Sequence, residues 1–175
     1  GASTVEAQEK VAVQVADQIA DYLIMGSIAN ALNMASLSAE EAPVLKPYMM
    51  LAGLLGSFLG QVQADGVTAV VVELNGKAAG LNPEPVVAAT LAGLLGPAME
   101  SVNMVNAAGV ASSNGIAVST ILHDRQCDYE TLLRVSVSHK SGERTIAGTL
   151  VGGDKPRIVE VQHIAVESDF PPYLL

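Results

Sequence analysis

The sequence predicts an α/β domain of the α+β type, in which helices pack on a mainly antiparallel mixed sheet and one further helix precedes the domain. Three observations predict it. Apolar residues recur at helical spacing in two segments between residues 1 and 64, a β-branched run follows at 67–74, and apolar and polar residues alternate in short runs after residue 116. Helices combined with short alternating strands and glycine-containing turns are typical of such a layered domain.

The composition indicates a folded domain and argues against several classes of partner. The 175 residues are 50% hydrophobic and 15% charged, which provides a sizeable core and excludes intrinsic disorder. The formal net charge of −9 argues against nucleic acid and anionic membranes as partners. An aromatic content of 3% argues against stacking on single-stranded bases.

The single cysteine and the first residues carry information about location. Cys127 has no second cysteine with which to form a disulfide, which predicts a reducing, cytoplasmic compartment. No secretory leader is expected, because Glu6, Glu9 and Lys10 stand where a leader needs an apolar run.

An amphipathic helix is predicted near the N-terminus. Ser3 and Glu6 form a capping box, and the helix is expected to end near Gly26. Its apolar stripe consists of Val11, Val15, Ile19 and Leu23, at steps of four residues.

A second, longer helix is predicted to begin near Pro47, after a short turn capped by Ser38 and Glu41. Residues 47–64 carry no charge, but glycines, polar residues and acidic flanks favour a buried core helix over a membrane span. Three glycines on one face permit a close neighbour, namely Gly53, Gly56 and Gly60. The hexapeptide LAGLLG at 51–56 recurs at 91–96, which indicates two helices packed on one sheet rather than a true repeat.

The middle of the chain is predicted to form a hairpin and two more helices. A strand at 67–74 is followed by Asn75-Gly76, the favoured type I′ turn, so residues 77–81 are expected to pair back. Asn82 and Pro83 open a helix that runs to between Gly96 and Glu100. Asn106 is expected to cap a short helix that stops at 114–115.

The last third is predicted to be an antiparallel meander with one polar face. On the strand at 129–139, the apolar residues Leu133, Val135 and Val137 alternate with polar ones. The other predicted strands are 116–123, 144–151, 157–163 and a short one at 165–167, with turns at 141–142 and 152–154.

Catalytic and metal-binding motifs are absent from the sequence. Its glycines fit neither a dinucleotide fingerprint nor a P-loop, and no nucleophile–base pair can be named. His123, His139 and His163 are interpreted as edge or solvated residues rather than metal ligands. Cys127 beside Asp128 is a poor candidate for a thiolate.

The basic residues cluster in the last third of the chain. Arg134, Arg144 and Arg157 on neighbouring strands could hold a carboxylate or phosphate, because the arginine fork matches those anions. The alternative is a solvated face of mixed sign, with the carboxylates of residues 130, 143 and 160 as partners. The pattern alone favours the alternative.

Several blocks of the sequence, in this order, resemble those of one known family. The blocks are GASTVEAQEKVA at 1–12, ALNM at 31–34, SAEEAP at 38–43, LKPY at 45–48, SVNMVNA at 101–107, DYE at 128–130, GER at 142–144, AGTL at 147–150 and KPRIVE at 155–160. The family that they resemble is the long bacterial form of D-3-phosphoglycerate dehydrogenase. The resemblance covers nearly the whole chain and is far more specific than any single motif.

The resemblance implies a fragment of an NAD-dependent oxidoreductase of serine biosynthesis, which oxidises 3-phosphoglycerate. Residues 1–29 resemble the last helix of the catalytic half, and residues 30–175 resemble the intervening, or allosteric substrate-binding, domain. The family's catalytic His precedes the LGAST run, so the fragment is expected to have no catalytic residues, no metal and no bound NAD. The helix stripe, without its catalytic partner, is expected to drive self-association.

The resemblance also implies partners and a site. The expected partners are the catalytic and ACT domains of the same chain, a small anionic effector and further copies of the chain. In the parent enzyme these copies are expected to form a homo-tetramer. Arg157 matches a basic position of the family's anion site, and Lys155 and Arg134 are added as neighbours from the pattern alone. At the later positions where the family's site has basic residues, this sequence has Ile164, Ala165 or Asp169 instead. A purely structural linker without a ligand is the alternative, and a self-standing hydrolase is a weak third hypothesis.

Overall fold

The structure of the protein is a computed structural model, which describes residues 9–10, 12–13, 15–17, 19–20, 41–62, 66–123 and 128–170. The described residues between 9 and 20 are helical and constitute α1. Apolar side chains of α1 are exposed, with 47% of Val15 and 54% of Ile19 accessible. Self-association through this helix stays a prediction. Val11, Leu23 and the boundary at 29–30 lie outside the described residues.

Three further helices and six strands follow α1 in the part of the chain that the structure describes. The helices are α2 (Glu41–Val62), α3 (Pro83–Leu95) and α4 (Ala107–Ser113), and the strands are β1 (Val67–Gly76), β2 (Ala117–His123), β3 (Thr131–His139), β4 (Gly142–Val151), β5 (Lys155–Val161) and β6 (Ile164–Asp169). The strands form one sheet in the order β2-β1-β3-β4-β5-β6. Only β1 and β2 run parallel, and every other neighbouring pair is antiparallel. The predicted mixed, mainly antiparallel sheet with packed helices is therefore confirmed, as is the meander from β3 to β6.

The core lies between the sheet and the α2–α3 pair. Alternate residues of the central strands face the helices and are fully buried, which confirms the predicted inward face of β3. These inward residues include Val70, Val72, Leu74, Leu133, Val135, Val137 and Ile146.

Glycines allow α2 and α3 to approach backbone to backbone. A Cβ on Gly56 would lie 2.2 Å from the carbonyl oxygen of Thr90, and one on Gly93 would lie 2.2 Å from that of Gly53. Real Cβ atoms do not tolerate such distances, so the helix pair requires these glycines. The two copies of LAGLLG are thus the two sides of one helix contact.

The helix α2 begins earlier than the sequence predicted. It already includes Glu41, and Pro47 lies inside it rather than at its start. Ala42 and Leu45, in its first turns, are 2% exposed, so their burial favours the added turns despite the proline. By length and composition α2 could cross a membrane. Here seven of its residues are buried, and it packs on α3 and the sheet.

The predicted hairpin at Asn75-Gly76 is wrong. Residues 77–80 form a 3₁₀ turn instead of a returning strand. Both edges of β1 are already occupied, by β2 and β3, so no position in the sheet is left for a returning strand. Gly76 adopts φ 65° and ψ −133°, and the backbone N–H of Lys77 donates to the carbonyl of Glu130 at 3.0 Å. A type I′ turn requires a different ψ.

Candidate functional site

The sheet face opposite the helices, here called the open face, carries a row of side chains that crosses four strands. In register, Glu73 on β1 lies beside Arg134 on β3, which lies beside Ala147 on β4, which lies beside Glu160 on β5. Because side chains alternate along each strand, all four point to the face away from Val72, Leu133 and Ile146 in the core.

Arg134 is held by two carboxylates. Its Nε donates to Glu160 Oε1 at 3.2 Å and its Nη2 to Glu160 Oε2 at 2.8 Å. Its Nη1 lies 3.7 Å from Glu73 Oε2. The side chains of Arg134, Glu160 and Glu73 are 25%, 22% and 19% exposed, so solvent screens this contact less than a surface pair. The small Ala147 between the two strands lets the guanidinium span the gap.

Two histidines lie at the ends of this row. His123 Nε2 is 3.5 Å from Glu73 Oε2, and His163 Nδ1 is 3.5 Å from Glu160 Oε1. The two carboxylates and the one guanidinium together carry one negative charge in excess. This charge disfavours another anion at the centre of the row.

The β5–β6 turn fixes one end of the row. Gln162 and His163 both adopt positive φ, 51° and 62°, as a two-residue type I′ hairpin requires. The strain is offset by Gln162, whose N–H donates to the carbonyl of Thr145 at 2.9 Å and whose Oε1 accepts from the Thr145 N–H at 3.1 Å. Residues 162–163 were expected to extend the strand, so here the predicted boundary of β5 is wrong.

Asn75 adds an unused donor near the other end. It is 9% exposed and lies beside His123 in register, and its Nδ2 has no hydrogen-bond partner among the residues that the structure describes. An unpaired buried amide costs about 1–3 kcal/mol, so an acceptor that reached this atom would be favoured.

Arg157 and Lys155 lie elsewhere on the open face, towards the beginning of β5. Arg157 is opposite Thr149 of β4, two residues beyond Ala147, and its Nε is 3.2 Å from Asp169 Oδ1. The Asp169 side chain is 74% exposed and that of Arg157 43%, so this pair is weak and accessible. Lys155 is exposed and has no ion pair among the described residues.

The structure thus separates the basic residues that the sequence grouped. Arg134 is part of the ion-paired row, whereas Arg157 and Lys155 are accessible. Arg144 does not share their face, because it lies opposite the core residue Val137 on the side of the helices. The prediction that Arg134, Arg144 and Arg157 form one cluster is therefore wrong.

The alternative interpretation is a face of mixed charge, with the carboxylates of residues 130, 143 and 160 as partners of the arginines. It is correct for one of these three carboxylates. Glu160 is the partner of Arg134, whereas Glu130 pairs with Lys77 at 2.8 Å and Glu143 contacts Thr145 at 3.4 Å. Across the described part of the chain, no group of His, Cys, Asp and Glu could hold a metal. Cys127 lies outside that part.

Sequence reasoning missed Glu73 and Asp169 as partners of the arginines. A signal for Glu73 was present, because it is the one charged residue in the β-branched run at 67–74. Asp169 carries no such signal, since its pairing with Arg157 depends on the register of β6.

Comparisons with known proteins agree with the resemblance. The family described as the D-3-phosphoglycerate dehydrogenase intervening domain matches residues 44–162. Curated relatives named D-3-phosphoglycerate dehydrogenase include one from Synechocystis, 36% identical over 100% of this chain and 32% of the relative. Another from Bacillus subtilis is 32% identical over 98% of this chain and 33% of the relative. One from Methanocaldococcus jannaschii is 32% identical over 92% of this chain and 30% of the relative. The chain spans about a third of the length of these relatives.

Proposed function

This chain belongs to the D-3-phosphoglycerate dehydrogenase family and contains its intervening domain, and from that premise we propose that it is a regulatory and assembly domain that binds a small anion. The longer protein would be a cytoplasmic, NAD-dependent enzyme that oxidises 3-phosphoglycerate to 3-phosphohydroxypyruvate, the first step of serine synthesis. The domain would transmit binding of the anion to the catalytic and ACT domains within a homo-oligomer.

The observation that carries the proposal is the accessibility of Arg157. Its partner Asp169 is highly exposed, and an exposed ion pair contributes only about 0–1 kcal/mol, so a phosphate can displace it. A guanidinium binds phosphate through two parallel hydrogen bonds, which more than replaces a single contact with a carboxylate. Lys155, two residues away on the same face of β5, adds a second positive charge.

Arg134 is the weakest member of the proposed site. An anion would have to replace Glu160, whose two hydrogen bonds to Arg134 are 2.8 and 3.2 Å long. Its contribution is therefore expected to be smaller than that of Arg157.

Calorimetry with 3-phosphoglycerate, inorganic phosphate and serine tests the proposal. We expect saturable binding of the phosphate-containing ligands. Arg157→Ala is expected to weaken this binding about 10–100-fold, because it removes a charged hydrogen-bonded contact. Arg144→Ala is the matched control, because it removes the same charge from the other side of the sheet and should leave binding unchanged. Equal losses in both variants would indicate a general charge effect and contradict the site.

A purely structural linker is the second candidate function. The closed Arg134–Glu160 pair favours it, because a basic side chain already neutralised by carboxylates has no need of a ligand. A folded chain that binds none of the three ligands would support this candidate. In either case we expect no NAD-dependent turnover of 3-phosphoglycerate by the chain itself, and such turnover would refute the assignment of the domain.

A further inference from the structure

The strand β2 is an exposed apolar edge of the sheet. It is the first strand in the order β2-β1-β3-β4-β5-β6, so among the described strands it is paired on one side only. Apolar side chains are exposed on both of its faces, including 39% of Val118, 40% of Ile121 and 49% of Leu122. Within the described ranges, no backbone hydrogen bond from another segment reaches its free side.

The two edges of the sheet differ in how they are protected. β6 ends with the charged residues Glu167 and Asp169, a usual device against edge-to-edge pairing. From Ala117 to Leu122, β2 contains neither a charge nor a proline. An edge of this kind pairs readily with another strand, because its free N–H and C=O groups form a template and its side chains gain burial.

We propose that β2 pairs antiparallel with β2 of a second copy of this chain, about a two-fold axis at Thr120. This deepens the assembly part of the proposed function and rests on that part, not on the anion site. The register is self-complementary, because Val118 then faces Leu122 of the second copy, Ser119 faces Ile121, and Thr120 faces its own equivalent. Threonine pairs and branched apolar pairs are favourable cross-strand neighbours, and no like charges meet.

A second copy fits this edge better than head-to-tail pairing of β2 with β6. Pairing of β2 with β6 of the next molecule would leave a free edge at each end and generate an open filament, unless the rotation closed it into a ring. It would also place the apolar residues of β2 against the acidic end of β6. Pairing of β2 with itself closes after two copies and brings no charged side chains of residues 117–122 against each other.

Charge exchange at the two-fold axis tests the proposal, since Thr120 is exposed and the monomer tolerates a polar replacement there. Sedimentation is measured in an Ile19→Lys background, which weakens association through α1. We expect a dimer that Thr120→Lys and Thr120→Glu each weaken at least tenfold, because like charges then face each other. An equimolar mixture of the two should recover the dimer, because opposite charges meet. Matched controls on the other edge, Ser168→Lys and Ser168→Glu, should have no effect.

A disulfide tests the register independently of the charges. In a Cys127→Ser background, Thr120→Cys places two thiols directly opposite, at a Cα separation of about 4.5–5.5 Å that a disulfide can bridge. Val118→Cys should remain reduced, because its equivalent lies four residues along the strand, about 13 Å away.

Three results would overturn the proposal. They are a monomer in the Ile19→Lys background, a dimer that the Thr120 variants leave intact, and cross-linking of Val118→Cys but not Thr120→Cys. A dimer that persists in the Thr120 variants would mean that the chain assembles through another surface. This result would contradict the β2 interface but not the proposed assembly function, so the two failures are distinguishable.

Discussion

Arg134 on β3 forms two parallel hydrogen bonds with Glu160 on β5, of 3.2 and 2.8 Å, across the intervening strand β4. The two residues are 26 positions apart in sequence, and the strands that carry them are not neighbours in the sheet. Because Arg134 is occupied by this contact, the basic residues of the open face that remain accessible to a ligand are Arg157 and Lys155.

Removal of the Glu160 carboxylate is expected to destabilise the fold. Glu160→Ala leaves the partly buried Arg134 with only the longer contact to Glu73, and the loss of a charged hydrogen-bonded contact costs about 1.5–3 kcal/mol. Urea unfolding measures this free energy. Glu130→Ala is the control, since the Lys77–Glu130 pair is exposed and its loss should be much smaller. Equal losses would mean that the open-face pair has no special stabilising role.

The close contact between α2 and α3 predicts opposite effects of two substitutions in one helix. Gly56→Ala should cost about 1–3 kcal/mol, because its Cβ would lie 2.2 Å from the carbonyl oxygen of Thr90 and must push the helices apart. Gly53→Ala meets Ala89 only at 3.8 Å and should gain about 0.5–1 kcal/mol from helix propensity. Chemical denaturation compares the two variants. Similar effects of both would show that the glycines are not required for packing.

Two glycines with positive φ are expected to differ in how well they tolerate a side chain. Gly115→Ala, at φ 71° with nothing within 4 Å of its Cβ, should cost only the strain of positive φ, about 1–2 kcal/mol. Gly76→Ala should cost clearly more, because φ 65° with ψ −133° is a more strained conformation for any side chain and its Cβ would also lie 2.5 Å from the carbonyl oxygen of Glu130. Thermal unfolding measures both losses. A loss at Gly76 no larger than that at Gly115 would contradict this geometry of the turn after β1.

The Lys77–Glu130 pair predicts a stability change at alkaline pH. The hydrogen bond that Lys77 donates to Glu130, together with the charge of that carboxylate, raises the pKa of the ammonium above its ordinary value of 10.5. A raised pKa means that the stabilisation is complete below pH 10.5 and is lost as the pH rises through the folded-state value. NMR titration of the Lys77 side chain should show a lower pKa in Glu130→Gln. An unchanged pKa would contradict the pairing.

Periodicity predicted the elements whose formation depends on local sequence. The alternation in β3 located its buried face because one side of the sheet is covered by helices. The LAGLLG pair predicted two packed helices because glycine on a helix face has few other uses. In both cases the signal lies within a single element.

The errors concern contacts between segments distant in sequence. Asn75-Gly76 has the composition of a hairpin turn, but β2 and β3 occupy both edges of β1 and leave no place for a returning strand. The partners of Arg134 and Arg157 depend on strand order and register, which alternation along one strand does not encode. For the same reason the sequence grouped Arg144 with residues that lie on the opposite face.

The measurement that tests the central claim most directly is an NMR titration of the arginine Nε–H signals with 3-phosphoglycerate at constant ionic strength. The signal of Arg157 is assigned by its loss in Arg157→Lys. The account predicts a saturable shift of this signal as the guanidinium exchanges Asp169 for the phosphate, while the signal of Arg144 stays in place. An Arg157 signal that does not move, or that moves in parallel with that of Arg144, would contradict an anion site on the open face.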